Sequence, residues 1–256
     1  MVYLMFIFGL VIGSFLNVCI YRIPRGESFT ISRSHCPQCG HLLSWWELIP
    51  VVSFLILKGK CRDCGTRINW QYTFIEILTG IIFIVLFLSF GLTSSFYIYT
   101  ILMCLLVVSS GIDINFRVIP DVVTVPAIVI GFILSIFFPH IGYIDSLLGI
   151  IAIGGSFYLI NYLIGGEMGK GDIKMIAVVG AFTGWQVTLM AIFLGAFMGA
   201  INSFFLLLKH KNKEKEEKQD INFSSRLPFG PFLILGVLVS ILYFDIIIKF
   251  YVNYIF

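Results

Sequence analysis

The sequence predicts an all-α, polytopic membrane protein of about eight transmembrane helices, with one sizeable polar segment between the first and the second. Two observations carry this. Of 256 residues, 59% are hydrophobic and only 12% charged, and the mean hydropathy is +0.99, which leaves too little polar surface to cover a water-soluble globule of this size. The apolar residues also fall into runs of roughly 18 to 24, the length that a helix rising about 1.5 Å per residue needs to cross a hydrocarbon core of about 30 Å.

In order, the runs cover about 2–21, 73–91, 95–112, 122–138, 146–165, 173–184, 186–208 and 229–250. The first has no basic leading region and no small-residue cleavage site, so it is expected to stay as a helix. The sixth is short because Gly180, Gly184 and Trp185 interrupt it. Pro120 ends a polar loop ahead of the fourth. Aromatic residues, mostly Phe within the runs, suit lipid contact and packing and call for no cofactor.

Orientation follows from Lys and Arg. Arg22, Arg25, Arg33, Lys58, Lys60, Arg62 and Arg67 lie in the first connection, Arg117 in the third, Lys170 and Lys174 beside the fifth, and six more between Lys209 and Arg226. With eight spans all of these fall on one side and Lys249 alone on the other, so the basic loops are expected in the cytoplasm and both termini outside. The net charge of +3 is then a matter of topology and predicts no nucleic-acid partner. The mixed-sign run KHKNKEKEEKQD is expected to be a solvated loop.

The first connection carries CPQC, with Cys36 and Cys39, and CRDC, with Cys61 and Cys64, each followed by a Gly. Two such pairs place four thiolates on two tight knuckles, which suits tetrahedral Zn²⁺, although the 21 residues between them slightly exceed the usual gap. Redox or disulfide pairs are the competing reading, and the basic flanks, which assign the segment to a reducing compartment, argue against it. The expectation is a small zinc-binding cytoplasmic segment. Cys19 and Cys104 fall in apolar helices as small hydrophobes with no assigned role, and His35 is at most a spare ligand.

Ionisable groups at membrane depth are costly and therefore tend to be functional. Glu214, Glu216, Glu217 and Asp220 belong to the charged loop, and Asp145 and Asp245 to the outer side. Glu76, Asp113, Asp121, Glu167 and Asp172 remain at the cytoplasmic border. The string GEMGKGDIK around Asp172 looks at first like a phosphate loop, but Ile164 stands where that loop needs its first Gly, and no Ser or Thr follows Lys170. Asp113 closes the third run and Asp172 opens the sixth, so they can meet if those helices pack together. Two carboxylates sharing a partly dehydrated site do not both ionise, and such a pair can act as base and acid on one water. Gly169 and Gly171 would let a substrate strand approach closely. The alternative makes Asp172 a helix N-cap and Asp113 a helix-end residue facing water.

These residues resemble a known family. GKGD, preceded by an Asp in D-x-x-x-x-x-I-P-D from Asp113 to Asp121, looks like the type IV prepilin peptidases, bacterial members of the GxGD membrane aspartyl proteases. GSFLNVCIYRIPR, the two Cys-x-x-Cys pairs, WWELIPVVSFLILKGKCRDCG and PFGPF extend the resemblance almost end to end. It implies a prepilin leader peptidase and N-methyltransferase of the bacterial cytoplasmic (inner) membrane, multi-pass, with its active site facing the cytoplasm. Prepilins or pseudopilins would be its substrates, Asp113 and Asp172 its catalytic pair supported by Gly169 and Gly171, and S-adenosyl-L-methionine its methyl donor. The implied division is a first transmembrane helix at 1–21, a zinc-binding and methyltransferase segment at 22–72 and a protease core at 73–256.

Candidates for holding the methyl donor are Gly13, Ser14 and Asn17 in GSFLN, with Glu47 and Glu76. The first three are equally well read as helix-packing residues, and Glu76 as a partner of Arg67 or Arg22. The chain departs from the family where W-Y-D-N-I-P is replaced by Trp45-Trp46-Glu47-Leu48-Ile49-Pro50, where R-Y-P is replaced by Gln71-Tyr72-Thr73, and at Asn115, a position often acidic. None of these touches the Asp pair. Two other classes compete. A transporter is expected to show midplane acids and internal repeats, neither of which is seen, and a zinc-ribbon membrane scaffold would leave the acids idle.

Overall fold

The computed structural model describes residues 1–28, 33–138, 140–166, 169–213 and 229–255, without the side chains of 206–213, 245, 246 and 248–255. Glu167 and most of the charged loop lie outside the described residues. Among the described residues the regular elements are helices, joined by turns and coil that include two isolated antiparallel bridges, and the chain divides into two compact units, Met1–Pro120 and Asp121–Phe256.

The first unit is built on α1 (Val2–Arg22), α3 (Trp70–Phe90) and α4 (Ser94–Phe116), with the short α2 (Val52–Ile56) in the long connection. α1 and α3 run antiparallel with their backbones nearly touching. A Cβ at Gly9 would lie 2.7 Å from Gly80 Cα, and one at Gly13 would lie 2.7 Å from Glu76 Cα. Where lipid tails are as apolar as the side chains, such small residues let helices gain the close packing that holds them together. One turn further on, Asn17 Nδ2 donates to the Tyr72 carbonyl at 2.9 Å. α4 completes the unit. Ile20 fills the space over Gly111, Phe83 packs between Phe8 and Phe96, and Leu86, Leu102 and Met103 are wholly buried. α3 begins where Asn69 accepts the Gln71 N–H at 2.9 Å, and α4 ends where the left-handed Arg117 donates its N–H to the Asp113 carbonyl at 2.8 Å.

The second unit comprises α5 (Asp121–Phe137), α6 (Tyr143–Leu148), a π-helical stretch (Gly149–Gly154), α7 (Gly155–Leu163), α8 (Lys170–Lys213) and α9 (Gly230–Ile255). Gly149 and Gly180 pack backbone on backbone, and Ser146 Oγ donates to the Ala181 carbonyl at 2.8 Å. α8 is kinked at Gly184, whose φ of 76° and ψ of 171° lie outside the helical range. The Thr188 hydroxyl donates to the Gly184 carbonyl at 2.6 Å.

Among the described residues, five helical stretches are long and apolar enough to cross a membrane: Val2–Arg25, Trp70–Phe90, Ser94–Phe116, Tyr143–Leu163 and Lys170–Phe205. Asp121–Phe137 and Gly230–Phe244 are apolar but shorter. The expected sixth and seventh runs are the two helical halves of α8, which meet at the non-helical Gly184 where the sequence divides them. Length and composition therefore identify five candidate spans among the described residues, and the expected count of eight is not confirmed.

Candidate functional site

The two Cys-x-x-Cys loops fold alike. In each, the N–H of the first cysteine bonds a carbonyl five residues on, Cys36 to His41 and Cys61 to Thr66, and the following Gly returns its N–H to that cysteine's carbonyl. Gly40 and Gly65 reach φ of 73° and 69°, where a side chain is strained. The four sulfurs of Cys36, Cys39, Cys61 and Cys64 lie within 4.8 Å of one another, and Cys36–Cys64 and Cys39–Cys61 are each 3.9 Å apart. A tetrahedron with metal–sulfur bonds of about 2.3 Å has edges of about 3.8 Å, so the set fits one Zn²⁺-sized ion. The Thr66 hydroxyl and backbone N–H beside Cys64 hold its thiol down at about 6, favouring the thiolate a metal needs. His35 is not part of the cluster; its Nδ1 lies 3.3 Å from the Arg33 carbonyl.

Behind the knuckles lies a polar brace that sequence reasoning missed. His41 Nδ1 is 2.8 Å from Asp63 Oδ2, and His41 Nε2 is 3.3 Å from Glu47 Oε2, so one imidazole joins the first cysteine loop to the second and to the turn Trp45–Leu48. The signal available was position alone, His41 directly after Gly40 and Asp63 between Cys61 and Cys64. Glu47 also accepts the Ser44 N–H at 2.7 Å, a capping interaction that, with His41, holds its carboxyl below the usual range. Its other oxygen, Oε1, is buried with no partner among the described residues.

That oxygen belongs to a residue lining a cavity of about 610 Å³ inside the first unit, together with Ser14, Asn17, Tyr72, Glu76 and Arg25. The cavity gathers four of the five residues proposed from sequence for the methyl donor. The fifth, Gly13, faces α3 instead, as a packing contact. Glu76 does not pair with Arg67 or Arg22: its Oε2 accepts the Val51 N–H at 2.8 Å. Arg22 is buried and donates to the carbonyls of Ser28 and Arg33, while the Arg25 guanidinium lies 3.8 Å over the Tyr21 ring. The cavity size is in the range that encloses a cofactor-sized ligand, and a lining with two carboxylates (Glu47, Glu76) and four guanidiniums (Arg22, Arg25, Arg62, Arg67) suits a molecule carrying both charges.

Of the two acids of the expected catalytic pair, Asp113 stands in the last turn of α4 in the first unit, and Asp172 in the first turn of α8 in the second. Gly169 precedes α8 with its backbone against the Asp172 carboxylate, and its carbonyl accepts the Asp172 N–H at 3.0 Å. Asp121 opens α5 as a helix-start carboxylate and takes the ammonium of Lys174 as an ion-pair partner.

This is an all-α membrane protein carrying a cluster of four cysteines that could hold a metal ion, with Asp113 on one unit and Asp172 on the other. Residues 7–90 match the Bacterial Peptidase A24 N-terminal domain, and residues 100–204 the Type IV leader peptidase family. The chain is 35% identical over 210 residues to the Prepilin leader peptidase/N-methyltransferase of Myxococcus xanthus, covering 80% of this chain and 62% of that one. To proteins of the same name it is 32% identical in Bacillus subtilis (99% of this chain, 98% of that one) and 30% identical in Pseudomonas aeruginosa (96% and 91%). No solved structure matches. The chain belongs to the type IV leader peptidase family.

Proposed function

We propose that this protein cleaves the leader from type IV prepilins or pseudopilins and then methylates the new N-terminal amine. The observation that carries it is end-to-end similarity to leader peptidase/N-methyltransferases, with an Asp at each of the two family positions, Asp113 and Asp172. In this reading one carboxylate takes a proton from a water as its oxygen attacks the scissile carbonyl, and the protonated partner gives a proton to the leaving amine. Gly169 and Gly171 allow the substrate backbone to approach. Basic loops set the cytoplasmic side, so the pair works at the inner face of the cytoplasmic membrane, where the charged leader meets the apolar pilin helix.

The four cysteines hold structural Zn²⁺, which ties the 22–72 segment together. The cavity beside them takes S-adenosyl-L-methionine, which when bound supplies an electrophilic methyl group. Glu47 and Glu76 offer carboxylates to its positive centres, and Ser14 and Asn17 offer polar contacts from α1. The test is mass spectrometry of a processed pilin. Asp113→Asn and Asp172→Asn should each abolish leader cleavage with the protein still in the membrane, whereas Glu47→Gln and Glu76→Gln should lower N-methylation more than cleavage. Cleavage by either Asp variant removes that residue from the mechanism, and full methylation in both Glu variants places the donor elsewhere.

A further inference from the structure

The long connection does not stay at the helix ends. The turn Trp45–Leu48 and α2 line one wall of an apolar groove of about 360 Å³ whose other wall is Ile7, Leu10 and Val11 of α1. Those α1 residues lie three to four turns before Arg22, about 17–22 Å along the axis at 1.5 Å per residue. The contact from Val51 to Glu76 gives the same result independently. Glu76 packs against Gly13, and Gly13 lies about 14 Å from the basic end of α1. Residues 45–56 thus reach the depth at which α1 and α3 cross a hydrocarbon core.

Irregular backbone at that depth requires its polar groups to be satisfied within the protein. Here they are. The N–H groups of Glu47, Ile49, Val52, Ser53, Leu55 and Leu57 all bond carbonyls within the segment, and the Ser44 N–H goes to Glu47. Pro50, at the tip, has no N–H to satisfy. The tip residue Val51 has a φ of 61° in a tight turn closed by the Val52 N–H on the Pro50 carbonyl, a conformation a β-branched residue rarely adopts. Its N–H is the one that Glu76 takes.

The outer face has the matching chemistry. Trp45, Leu48, Ile49, Val52, Leu55 and Ile56 are exposed, Trp45 at 79% and Leu55 at 66%. From Ser44 to Leu57 the only charged residue is Glu47, whose side chain is 1% exposed and turned inward. This face continues the exposed apolar surface of α1 at Ile7 and Val11.

We propose that residues 45–56 form a re-entrant elbow embedded in the bilayer, with lipid acyl chains covering its outer face and filling the groove against α1, and with Glu76 capping the Val51 N–H at its tip. The proposal needs α1 and α3 to span the membrane but is independent of the protease and methyl-donor readings. It is tested on the full chain in phosphatidylcholine/phosphatidylglycerol vesicles. A variant retaining only Trp45 (W46F, W70F, W185F) should be quenched several-fold more by phosphatidylcholine brominated mid-chain than one retaining only Trp46, which lies under Arg62 on the knuckle side. Aqueous iodide should show the reverse order. Trp45 quenched by iodide and not by brominated lipid overturns the elbow. As a measurement that leaves every tryptophan in place, benzoylphenylalanine at Leu55 should gain the mass of a phospholipid on irradiation. Crosslinking to a second copy of the chain, or no lipid adduct, makes the face a protein interface or a solvent surface and refutes the proposal.

Discussion

Gly9→Ala and Gly13→Ala form a matched pair, because each new methyl group meets the facing helix at the same distance. The Cβ would lie 2.7 Å from Gly80 Cα in the first and 2.7 Å from Glu76 Cα in the second. Carbon atoms rest at about 3.5–4.0 Å, so α1 and α3 must part by about 1 Å in either case. Overpacking of this kind costs about 1–3 kcal/mol. At Gly13 the same displacement stretches the Asn17–Tyr72 bond between the two helices (2.9 Å) past hydrogen-bonding range. The lost bond adds about 0.5–1.5 kcal/mol, so Gly13→Ala should cost about 1.5–4.5 kcal/mol in all. Thermal unfolding in detergent should show both variants destabilised, Gly13→Ala somewhat more. The difference should be larger in function. Ser14, Asn17 and Glu76 line the cavity and Gly9 does not, so Gly13→Ala should raise the KM for S-adenosylmethionine by on the order of tenfold, the equivalent of about 1.4 kcal/mol at the site, while Gly9→Ala leaves it near wild type. Equal KM changes in the two variants would reduce the effect to stability, and an unchanged Gly13→Ala would mean that the helices do not pack this closely.

Three further outcomes follow from the geometry. Metal analysis of protein purified under reducing conditions should find about one Zn²⁺ per chain, and chelation should unfold the 22–72 segment, since structural zinc supplies much of the folding free energy of such small units; finding no metal removes the zinc. Cys64→Ser should leave well under one Zn²⁺ per chain, because it removes the cysteine whose thiol Thr66 holds down at about 6 and which therefore ionises most readily; full metal content in that variant would remove Cys64 from the ligand set. Asp121→Asn should keep leader cleavage within a few-fold of wild type, because its pairing with Lys174 is exposed (65% and 37%) and such pairs are worth about 0–1 kcal/mol; complete loss of cleavage would give Asp121 a part in the chemistry.

The cysteine knuckles and the apolar helices were legible in the sequence because each is decided locally. A Cys-x-x-Cys-Gly string can fold only a few ways, and a run of some twenty apolar residues meets its hydrogen-bonding needs within itself once it becomes a helix. The kink in α8 was legible for the same reason, as Gly184 can take a φ that other residues avoid. What the long first connection does was not. Its string WWELIPVVSFLI reads as part of a polar loop bounded by basic residues, and nothing local says that it turns back along α1. That outcome depends on a carboxylate at Glu76, 25 residues away, being in place to take the Val51 N–H, and on Gly9 and Gly13 letting α3 come close enough to present it. Glu47 illustrates the same limit. Its sequence position suggested a ligand-binding acid, but one of its oxygens is committed to Ser44 and His41 and only the other is left for the cavity. Local chemistry named the sulfurs and the spans. Which polar group satisfies which buried donor is a question of three-dimensional proximity, and it was decided only when the helices packed.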